Sequence, residues 1–597
     1  MPYGQGTRTG GRVCEATLVG HEMVPRAAVP RRDIKSETRS VSYLISLREG
    51  MNKPSSADGS VDAVTKPVDT VTGMTVMADF ERCNLSVQKR SFSMKNRIIA
   101  FLLAGMLAAT SFTAVSCSES AENNDKTGTE APAAQTPGVE TEAPAAEPED
   151  PFASRAAEQD NLPERDFGGR DFIVIGSDEE GFGAYIATEE LNGEGVNDAI
   201  YNRNAAVEER FNAKTVYTGV ASYGDLSTQI AKAVKAADNQ SFDLAQFHVV
   251  SSSGSAMKGY YHNWYDIPNV DFSRSWWSPS NVEDLTIAGK CFLAMGDFAL
   301  STVGRSYVML YDRDQAKNYQ LEDFYTVVKE GRWTVDALRN VCSQVYTDSN
   351  GDGVENEGDY YGLGTDLYSN LNTYYWSTGN LIFSRGDSGE LEFHYYSEHL
   401  VDAFDKCWDL INQTPGIYTK GEHKAGMKLF SEYGCLTCNA YLDGTISFLA
   451  DFEHDYGVIP YPKFDEAQEQ YRTMVDGNHE AMSILITEVG DDLDFIGIMC
   501  EVLCAESYKY VMPAYFDVCL KQRYASSPND AEMMDLCVNA RVFDLGYVYD
   551  NWNGASFWFQ DLLANAAHTD LASYYSKKAK VVEKYYGKVV KLFTGEE

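Results

Sequence analysis

The chain has 597 residues and a formal net charge of −38, because Asp and Glu far outnumber Lys and Arg. So acidic a surface repels nucleic acid and anionic lipid head groups, and it disfavours polyanionic ligands. We therefore expect no nucleic-acid partner, and the length is sufficient for at least two domains or lobes.

Residues 94–117 have the three-part layout of a secretion signal. Two cations precede a short, uncharged apolar core, and small residues close the stretch. The core is too short to span a bilayer, which takes roughly 20 apolar residues. Its end, Val115-Ser116-Cys117, resembles the lipobox of bacterial lipoproteins, in which the Cys carries the lipid and becomes the new N-terminus. The sequence predicts a lipoprotein signal peptide at 94–116 and an anchor on Cys117; the alternative is a buried apolar helix.

Residues 1–93, which precede this signal, have no sustained helical or strand period. A secretion signal works at an N-terminus, so we expect residues 1–93 to be a disordered, mis-assigned upstream extension with Met94 as the true start. A genuine N-terminal extension is the alternative. Residues 117–165 are rich in Ala, Pro, Glu and Thr. Such a segment buries too little apolar surface to offset the entropy of ordering it, so we predict a disordered acidic tether.

Beyond the tether, the patterns alternate between strand and helix. Apolar runs at 172–175, 214–218 and 242–249 are typical of buried strands, and the segments between them have apolar residues at helical spacing. This order predicts an α/β domain with an open parallel sheet, which binds ligands at the carboxyl ends of its strands. Residues 177–180 and 248–253 are thereby placed at that binding rim, and the candidate ligand contacts among them are Asp178, Glu179, His248 and Ser251.

Several later runs resemble the family 1 extracellular solute-binding proteins of bacterial ABC importers, and they occur in the family's order. The runs are VNDAIYNRN (196–204), GRWT (331–334), DYGVIPYPK (455–463), MPAY (512–515) and VFDLG (542–546). The resemblance, which includes the maltose-binding members, covers residues from about 167 to the C-terminus. It implies an α/β, two-lobed periplasmic-binding-protein-like fold of type II, with hinge crossovers and a ligand cleft between the lobes.

The resemblance also implies where the chain passes between the lobes. We expect crossovers near 306–311, near 479–486 and around 512–515. The predicted first lobe then comprises 166–311 and 487–515. The predicted second lobe comprises 312–486 and 516–597.

As for function, the resemblance implies a monomeric lipoprotein on the outer face of the cell membrane that passes a solute to ABC permease subunits. The chain is 12% aromatic, with 37 Tyr, which suits a carbohydrate ligand because aromatic faces cover the C–H faces of sugar rings. We expect an oligosaccharide. The sequence contains no nucleophile elbow, P-loop, HExxH or dinucleotide fingerprint, so we expect no enzyme activity and no cofactor for activity.

Two alternatives to an importer component stay open. One is a surface glycan-binding lipoprotein that is not coupled to transport. The other is a secreted glycoside hydrolase, since the paired carboxylates of such enzymes are close in space and not in sequence.

Three aromatic residues are candidates for the sugar site. Trp558 belongs to a run that resembles the aromatic pair that stacks on sugar in maltose-binding members of the family. Tyr441 follows the predicted strand 435–439, at a similar rim of the second lobe. Trp376 lies in an aromatic cluster near a helix. The alternative for each ring is the hydrophobic core, where most buried aromatic side chains lie.

Residues 348–359 have the ligand spacing of an EF-hand-type calcium loop. Counted from Asp348, side-chain oxygens fall at positions 1, 3 and 5, glycine at 6, a backbone carbonyl at 7 and an aspartate at 12. The usual twelfth residue is Glu, and the shorter Asp resembles dockerin-type loops. We expect a structural Ca²⁺, and the alternative is a hydrated acidic turn. The predicted ligands are Asp348, Asn350, Asp352, Val354 and Asp359.

Overall fold

Two separate β-sheets organise the part of the chain that the structure describes. The computed structural model describes residues 151–595, apart from 357, 387–390, 395, 421, 450, 522–527 and 552–553. The signal peptide, the anchor on Cys117 and the extension 1–93 lie outside these residues, and they stay predictions.

The strands and helices of these residues are numbered here in chain order. The strands are β1 (Arg170–Ser177), β2 (Ala213–Val220), β3 (Leu244–His248), β4 (Tyr307–Asp312), β5 (Tyr361–Asp366), β6 (Phe383–Arg385), β7 (Leu391–Phe393), β8 (Ile417–Lys420), β9 (Cys435–Tyr441), β10 (Tyr456–Ile459), β11 (Thr473–Met474), β12 (Glu480–Ser483) and β13 (Arg541–Val542). The α-helices are α1 (Pro151–Ala157), α2 (Gly183–Ile186), α3 (Gly195–Phe211), α4 (Tyr223–Ala236), α5 (Val249–Ala256), α6 (Pro279–Leu285), α7 (Ser301–Gly304), α8 (Arg313–Asn318), α9 (Phe324–Lys329), α10 (Val335–Val345), α11 (Ser369–Ser377), α12 (Glu398–Gln413), α13 (Ala425–Ser431), α14 (Gly444–Phe448), α15 (Asp491–Glu506), α16 (Pro528–Asn539), α17 (Leu545–Val548), α18 (Trp558–Leu563) and α19 (Leu571–Thr594). Short 3-10 helices cover Trp264–Asp266 and Ala555–Phe557, and π-helices cover Ser507–Val511 and Pro513–Lys521.

The two main sheets share one topological plan. The first has the order β2-β1-β3-β12, and the second has the order β8-β5-β9-β4-β10. β1 is parallel to β2 and β3, and β5 is parallel to β8 and β9, whereas β12 and β4 run antiparallel to their neighbours. In each sheet the antiparallel strand is the one that arrives after the chain has crossed from the other sheet. Each sheet with its helices forms a lobe, and the predicted two-lobed α/β fold of type II is confirmed.

The strand pairing differs from the predicted lobe boundaries at two places. β4 pairs with β9 and β10 in the second sheet, although residues up to 311 were predicted in the first lobe. β12 pairs with β3 in the first sheet, although residues up to 486 were predicted in the second. Both strands are completely buried, so their local patterns suit either sheet and only the hydrogen-bond partners decide. The first two crossovers therefore precede β4 and β12, where Ser306 and Val475 form a bridge.

The third crossover and the tether also differ from the prediction. The π-helix Pro513–Lys521 still packs against α3 of the first lobe, while α16 contacts β10 of the second, so the chain crosses after 515. Residues 151–165 were predicted to be disordered, yet α1 is helical. Arg210 donates to both carboxylate oxygens of the buried Asp160, at 2.6 and 3.0 Å. This ion pair and the packing of Leu162 fasten the segment to the first lobe.

The hydrophobic core continues from one lobe into the other. Ile175 and Phe247 of the first sheet belong to the same buried cluster as Leu310 and Leu363 of the second. Burial of each such side chain contributes about 1.5–3 kcal/mol. The polar residues at the ends of these strands are thereby positioned by a closely packed hydrophobic core.

None of the helices among the described residues is both long enough and apolar enough to cross a membrane.

Candidate ligand-binding site at the junction of the lobes

Arg305 lies at the first crossover, immediately before β4, and its side chain contacts both lobes. Its Nη2 donates to Oε2 of Glu180, in the turn after β1, at 2.8 Å. Its Nε lies 3.1 Å from Oδ2 of Asp443, in the turn after β9, as an ion pair without hydrogen-bond geometry. The Arg305 side chain is only 9% exposed. A carboxylate of each lobe therefore shares one buried cation.

Further polar side chains complete this group, which we call the charged junction. Asp476 lies at the second crossover, where its backbone N–H donates to the carbonyl of Arg305 at 2.9 Å. Lys424 precedes α13, and its ammonium lies 5.5 Å from the ring centre of Tyr441. The members of the charged junction are Glu180, Arg305, Lys424, Tyr441, Asp443 and Asp476.

Local backbone structure brings the second-lobe carboxylate to the crossover. The backbone N–H of Asp443 donates to the carbonyl of Gly304 at 2.8 Å. A Cβ atom at Gly304 would lie 2.3 Å from the hydroxyl of Tyr515 and 2.9 Å from Oδ2 of Asp443. Only glycine at this position allows so close an approach.

Aromatic rings flank the guanidinium of Arg305. Its central carbon lies 4.8 Å from the ring centre of Phe182, in the first lobe, and 4.9 Å from that of Tyr441, in the second. Such cation–π contacts stabilise a desolvated cation. On the first-lobe side, the hydroxyl of Tyr223 donates to Oε1 of Glu180 at 3.1 Å. The junction thus combines charged groups with aromatic faces from both lobes.

Burial controls the charges of the junction. Burial raises the pKa of Asp443 to about 6, although Arg305 opposes this shift. Burial alone would lower the pKa of Arg305, but Asp443, Tyr441 and Glu180 raise it well above its ordinary value. Burial, together with Arg305, lowers the pKa of Lys424. At neutral pH Arg305 is a cation and Asp443 a carboxylate.

Two buried polar atoms at the junction lack a partner among the described residues. They are Oδ1 of Asp443 and Nε2 of His479, whose backbone N–H donates to the carbonyl of Asp476. A buried polar group without a hydrogen bond costs about 1–3 kcal/mol. Burial lowers the pKa of His479 to about 4, so its neutral ring is able to donate or accept. These atoms are available to a ligand that both donates and accepts hydrogen bonds.

The structure places the predicted first-lobe residues around this junction. Asp178 and Glu179 are exposed and accept from the Tyr217 hydroxyl and from the Tyr223 backbone N–H, at 3.1 and 2.8 Å. His248 is buried, and its Nδ1 accepts from the backbone N–H of Ser251 at 3.2 Å.

The ring of His248 lies 4.4 Å from that of Tyr223, centre to centre. Burial, with His479 nearby, lowers the pKa of His248 to about 3. His248 and Ser251 thus support the ring that holds Glu180.

Of the three predicted aromatic residues, only Tyr441 lies in the charged junction. Trp376 is buried, and its indole N–H donates to Oδ2 of Asp544 at 3.0 Å. Trp558 packs edge-on against Tyr574 and Tyr575 of α19, with ring centres 5.6 and 5.8 Å apart. Both tryptophans therefore pack within the second lobe, where Trp376 is buried and Trp558 is half-buried, against neighbouring helices that sequence alone does not reveal.

Sequence reasoning did not name Glu180, Arg305, Lys424, Asp443 or Asp476 as site residues. Three of them had a usable signal. Glu180 lies in the predicted rim segment and directly follows Asp178 and Glu179, and Arg305 directly precedes the predicted crossover strand. Asp443 lies two residues beyond the predicted Tyr441.

The predicted calcium ligands lie together in the loop between α10 and β5. The carboxylate of Asp348 accepts from the backbone N–H groups of Gly351 and Gly353, at 2.7 and 2.9 Å. Across the described ranges, no three His, Cys, Asp or Glu side chains are grouped closely enough to hold a metal ion.

No protein-family model matches the chain, and no curated protein matches its sequence. Solved structures do resemble it. MalE from Bdellovibrio bacteriovorus bound to maltotriose is 12% identical, with 69% of this chain and 98% of that chain covered and a TM-score of 0.46. An ABC transporter solute-binding protein from Agrobacterium radiobacter in complex with ribitol is 12% identical, with 70% and 100% covered and a TM-score of 0.45.

The GacH receptor of Streptomyces glaucescens is 14% identical, with 70% and 98% of the two chains covered and a TM-score of 0.45. The fold of this chain is defined by the strand order of its two sheets.

Proposed function

We propose that this protein binds a neutral carbohydrate, an oligosaccharide, at the charged junction and delivers it to an ABC importer without chemical change. The observation that carries the proposal is Arg305, which joins a carboxylate of each lobe between two aromatic faces. A ligand held there contacts both lobes at once, so its binding favours the closed arrangement of a hinged protein.

The chemistry of the junction suits hydroxyl groups. Sugar hydroxyls donate to carboxylates and accept from guanidinium and ammonium groups, and hydrogen bonds to charged groups are the stronger ones. Oδ1 of Asp443 is buried without a partner among the described residues and is ready to accept such a donor. The rings of Phe182 and Tyr441 offer apolar faces to the C–H groups of a pyranose.

The charge balance favours a neutral ligand over an ion. Three carboxylates face two cations at the junction, and Arg305 already pairs with Glu180 and Asp443. An anionic ligand would have to displace Glu180 or Asp443 from Arg305, and the whole chain carries a net charge of −38. A neutral polyol leaves the ion pairs intact.

Binding without turnover is supported by how the carboxylates are engaged. Glycoside hydrolysis needs one protonated acid and a second free carboxylate. The raised pKa of Asp443, about 6, resembles such an acid. However, Glu180 is occupied by Arg305 and Tyr223, which leaves it poorly suited to be a nucleophile or base.

We also propose that the protein is made from Met94, is anchored to the outer face of the cell membrane through Cys117, and acts as a monomer. The three-part signal and its small-residue end support this location. Cys117→Ala should release the protein from membranes or leave it unprocessed. Peptides from residues 1–93 in the membrane fraction would contradict the assigned start.

The decisive experiment screens the mature chain, beginning at residue 117, against mono- and oligosaccharides such as glucose, maltotriose, cellotriose and xylotriose. A ligand that binds only the folded state raises the melting temperature, and calorimetry then measures its affinity. We expect at least one oligosaccharide to bind without release of shorter sugars. Hydrolysis of the sugar, or binding of peptides or nucleotides alone, would contradict the proposal.

Transport coupling needs its own test. Deletion of the chain should abolish uptake of the identified sugar into cells while leaving uptake of an unrelated sugar unchanged. Normal uptake with reduced surface binding of glycans would favour the surface glycan-binding alternative.

A further inference from the structure

A closed loop of the second lobe, residues 348–359, carries features that the carbohydrate site does not use. Thr347 and Tyr360 flank the loop, and each backbone N–H donates to the carbonyl of the other at 3.0 Å. This bridge closes a 12-residue loop between α10 and β5, the length of the EF-hand calcium loop. Gly353, at the sixth position, has a φ of 72°, a conformation that favours glycine.

The oxygen atoms of the loop occur at the positions that ligate calcium in EF-hands. Side-chain oxygens stand at positions 1, 3 and 5, and the carbonyl of Val354 stands at position 7. The amide Nδ2 of Asn356 donates to that carbonyl at 2.7 Å and to Oδ2 of Asp352 at 3.0 Å. Two of the expected ligand oxygens, those of Asp352 and Val354, thus already accept hydrogen bonds from one amide group, that of Asn356.

Asp359, at the twelfth position, supplies an independent observation. Asp359 is only 4% exposed. Its Oδ2 faces the loop and accepts from the backbone N–H of Asn356 at 3.0 Å and from the Tyr346 hydroxyl at 3.2 Å. Its Oδ1 is buried and has no hydrogen-bond partner among the described residues. A buried carboxylate oxygen without a partner is unfavourable unless a cation or donor meets it.

We propose that this loop binds one Ca²⁺ ion through Asp348, Asn350, Asp352, the Val354 carbonyl and Asp359. All of these ligands are oxygens, which are the ligands that calcium prefers and that Zn²⁺ sites rarely use alone. Among the described residues, the carboxylates of this loop are farther apart than in an occupied metal site. Binding of the ion therefore requires that these side chains move towards one another. The bound ion then stabilises the connection from α10 into the second sheet.

The test uses the mature chain, stripped with chelator, and titrates it with CaCl₂ in a calorimeter. We expect one site with a dissociation constant of about 10⁻⁴–10⁻³ M, as in extracellular calcium modules. Calcium at about 1 mM should raise the melting temperature by about 1–2 °C. Mg²⁺ should bind at least about tenfold more weakly, because it requires a tighter octahedral cage.

The variant Asp352→Ala removes one ligand at an exposed position, so the fold should be kept. Asp359→Asn is a second variant that preserves side-chain volume. Both should weaken calcium binding at least about tenfold. The matched control is Asp402→Ala, an exposed aspartate on α12, which should bind calcium as the wild type does.

Terbium luminescence gives a second readout. The Tyr361 hydroxyl donates to the carbonyl of Asn356 at 2.9 Å, so tyrosine excitation should sensitise a Tb³⁺ ion in the loop, and Ca²⁺ should quench the signal. No calcium heat up to about 10 mM, or wild-type affinity in Asp352→Ala, would overturn the proposal. Carbohydrate affinity should not change in Asp352→Ala, which keeps this test independent of the proposed function.

Discussion

Two regions of this molecule concentrate aromatic side chains, and they differ in what the rings contact. In the charged junction, Tyr441 faces the guanidinium of Arg305 and the ammonium of Lys424. In a second region, the aromatic cluster, the rings pack on one another. Its members are Tyr375, Trp376, Tyr547 and Phe559, which contact one another, and Trp558, whose ring packs on Tyr574 and Tyr575.

The two regions differ in whether their buried polar atoms already have hydrogen-bond partners. In the aromatic cluster, the indole of Trp376 is already bonded to Asp544. In the charged junction, Oδ1 of Asp443 is buried without a partner among the described residues. An abundance of rings is therefore a poor guide to a sugar site, since most buried aromatics serve the core. Rings beside incompletely bonded charged groups from two lobes are a better guide.

The largest expected effect is that of Arg305→Ala. The variant removes charged hydrogen bonds worth about 1.5–3 kcal/mol and leaves Glu180 and Asp443 without their shared cation. The affinity for the identified sugar should fall by about 100-fold, equivalent to about 2.7 kcal/mol, as measured by calorimetry.

The control for this variant is Arg332→Ala. Arg332 pairs with Glu322 and Glu330 at the surface of the second lobe, and such exposed pairs contribute little. Its sugar affinity should match that of the wild type. Equal affinity in Arg305→Ala, with a normal circular dichroism spectrum, would place the ligand elsewhere.

The second expected effect concerns the pH dependence of binding. Because burial raises the pKa of Asp443 to about 6, its carboxylate is ionised at pH 7 and protonated at pH 5. Protonation removes one acceptor for sugar hydroxyls, so wild-type affinity should fall about tenfold between pH 7 and pH 5, equivalent to about 1.4 kcal/mol. Asp443→Asn should bind weakly and with little pH dependence in this range. An equally steep pH profile in Asp443→Asn would assign the titration to another group.

The sequence predicted the fold better than it predicted the charged junction. Strands such as β1 and β9 and the cap of α10, where Thr334 accepts from the Ala337 N–H at 3.2 Å, follow from local patterns. The positions of the crossovers do not follow from local patterns, since a fully buried strand such as β4 has the same hydrophobic pattern in either sheet. Fold follows from periodicity, whereas strand partners depend on contacts distant in the chain.

The junction depends on those distant contacts. Glu180 and Asp443 meet Arg305 across 125 residues on one side and 138 on the other, a proximity that no local motif encodes. Tyr441 was predicted because it follows a strand, and position at a strand end was the useful signal. The aromatic runs of Trp376 and Trp558 could not be placed in this way, because composition does not reveal which face of a helix is covered.

A smaller effect is expected from Glu480, which lies on β12 behind the junction. Among the described residues, its Oε2 accepts from two neutral donors, Gln246 and Ser301, at 3.4 and 3.2 Å, and burial raises its pKa from 4.5 to about 8. A raised pKa means that its contribution to stability is complete below pH 4.5 and is lost as the pH rises through 8.

Glu480→Gln should therefore melt a few degrees above the wild type at pH 9, with the difference vanishing near pH 4. The control, Glu583→Gln, changes an exposed residue of α19 and should follow the wild-type curve. If the melting temperatures of Glu480→Gln and the wild type changed with pH in parallel, the pKa of Glu480 would not be raised in the folded protein.

The smallest expected effect on binding is that of Trp558→Ala, set beside Tyr441→Ala. The ring of Trp558 packs on Tyr574 and Tyr575 and lies 5.7 Å from the ammonium of Lys578, so its loss should reduce stability by about 2 kcal/mol. Its sugar affinity should stay within about twofold of the wild type, because ring packing inside the second lobe leaves the junction unchanged. Tyr441→Ala should instead weaken binding by about tenfold, since it removes the face that lies against Arg305. Calorimetry on both variants decides between the two regions: a larger loss of affinity in Trp558→Ala than in Tyr441→Ala would move the sugar site to the aromatic cluster, as the sequence predicted for Trp558.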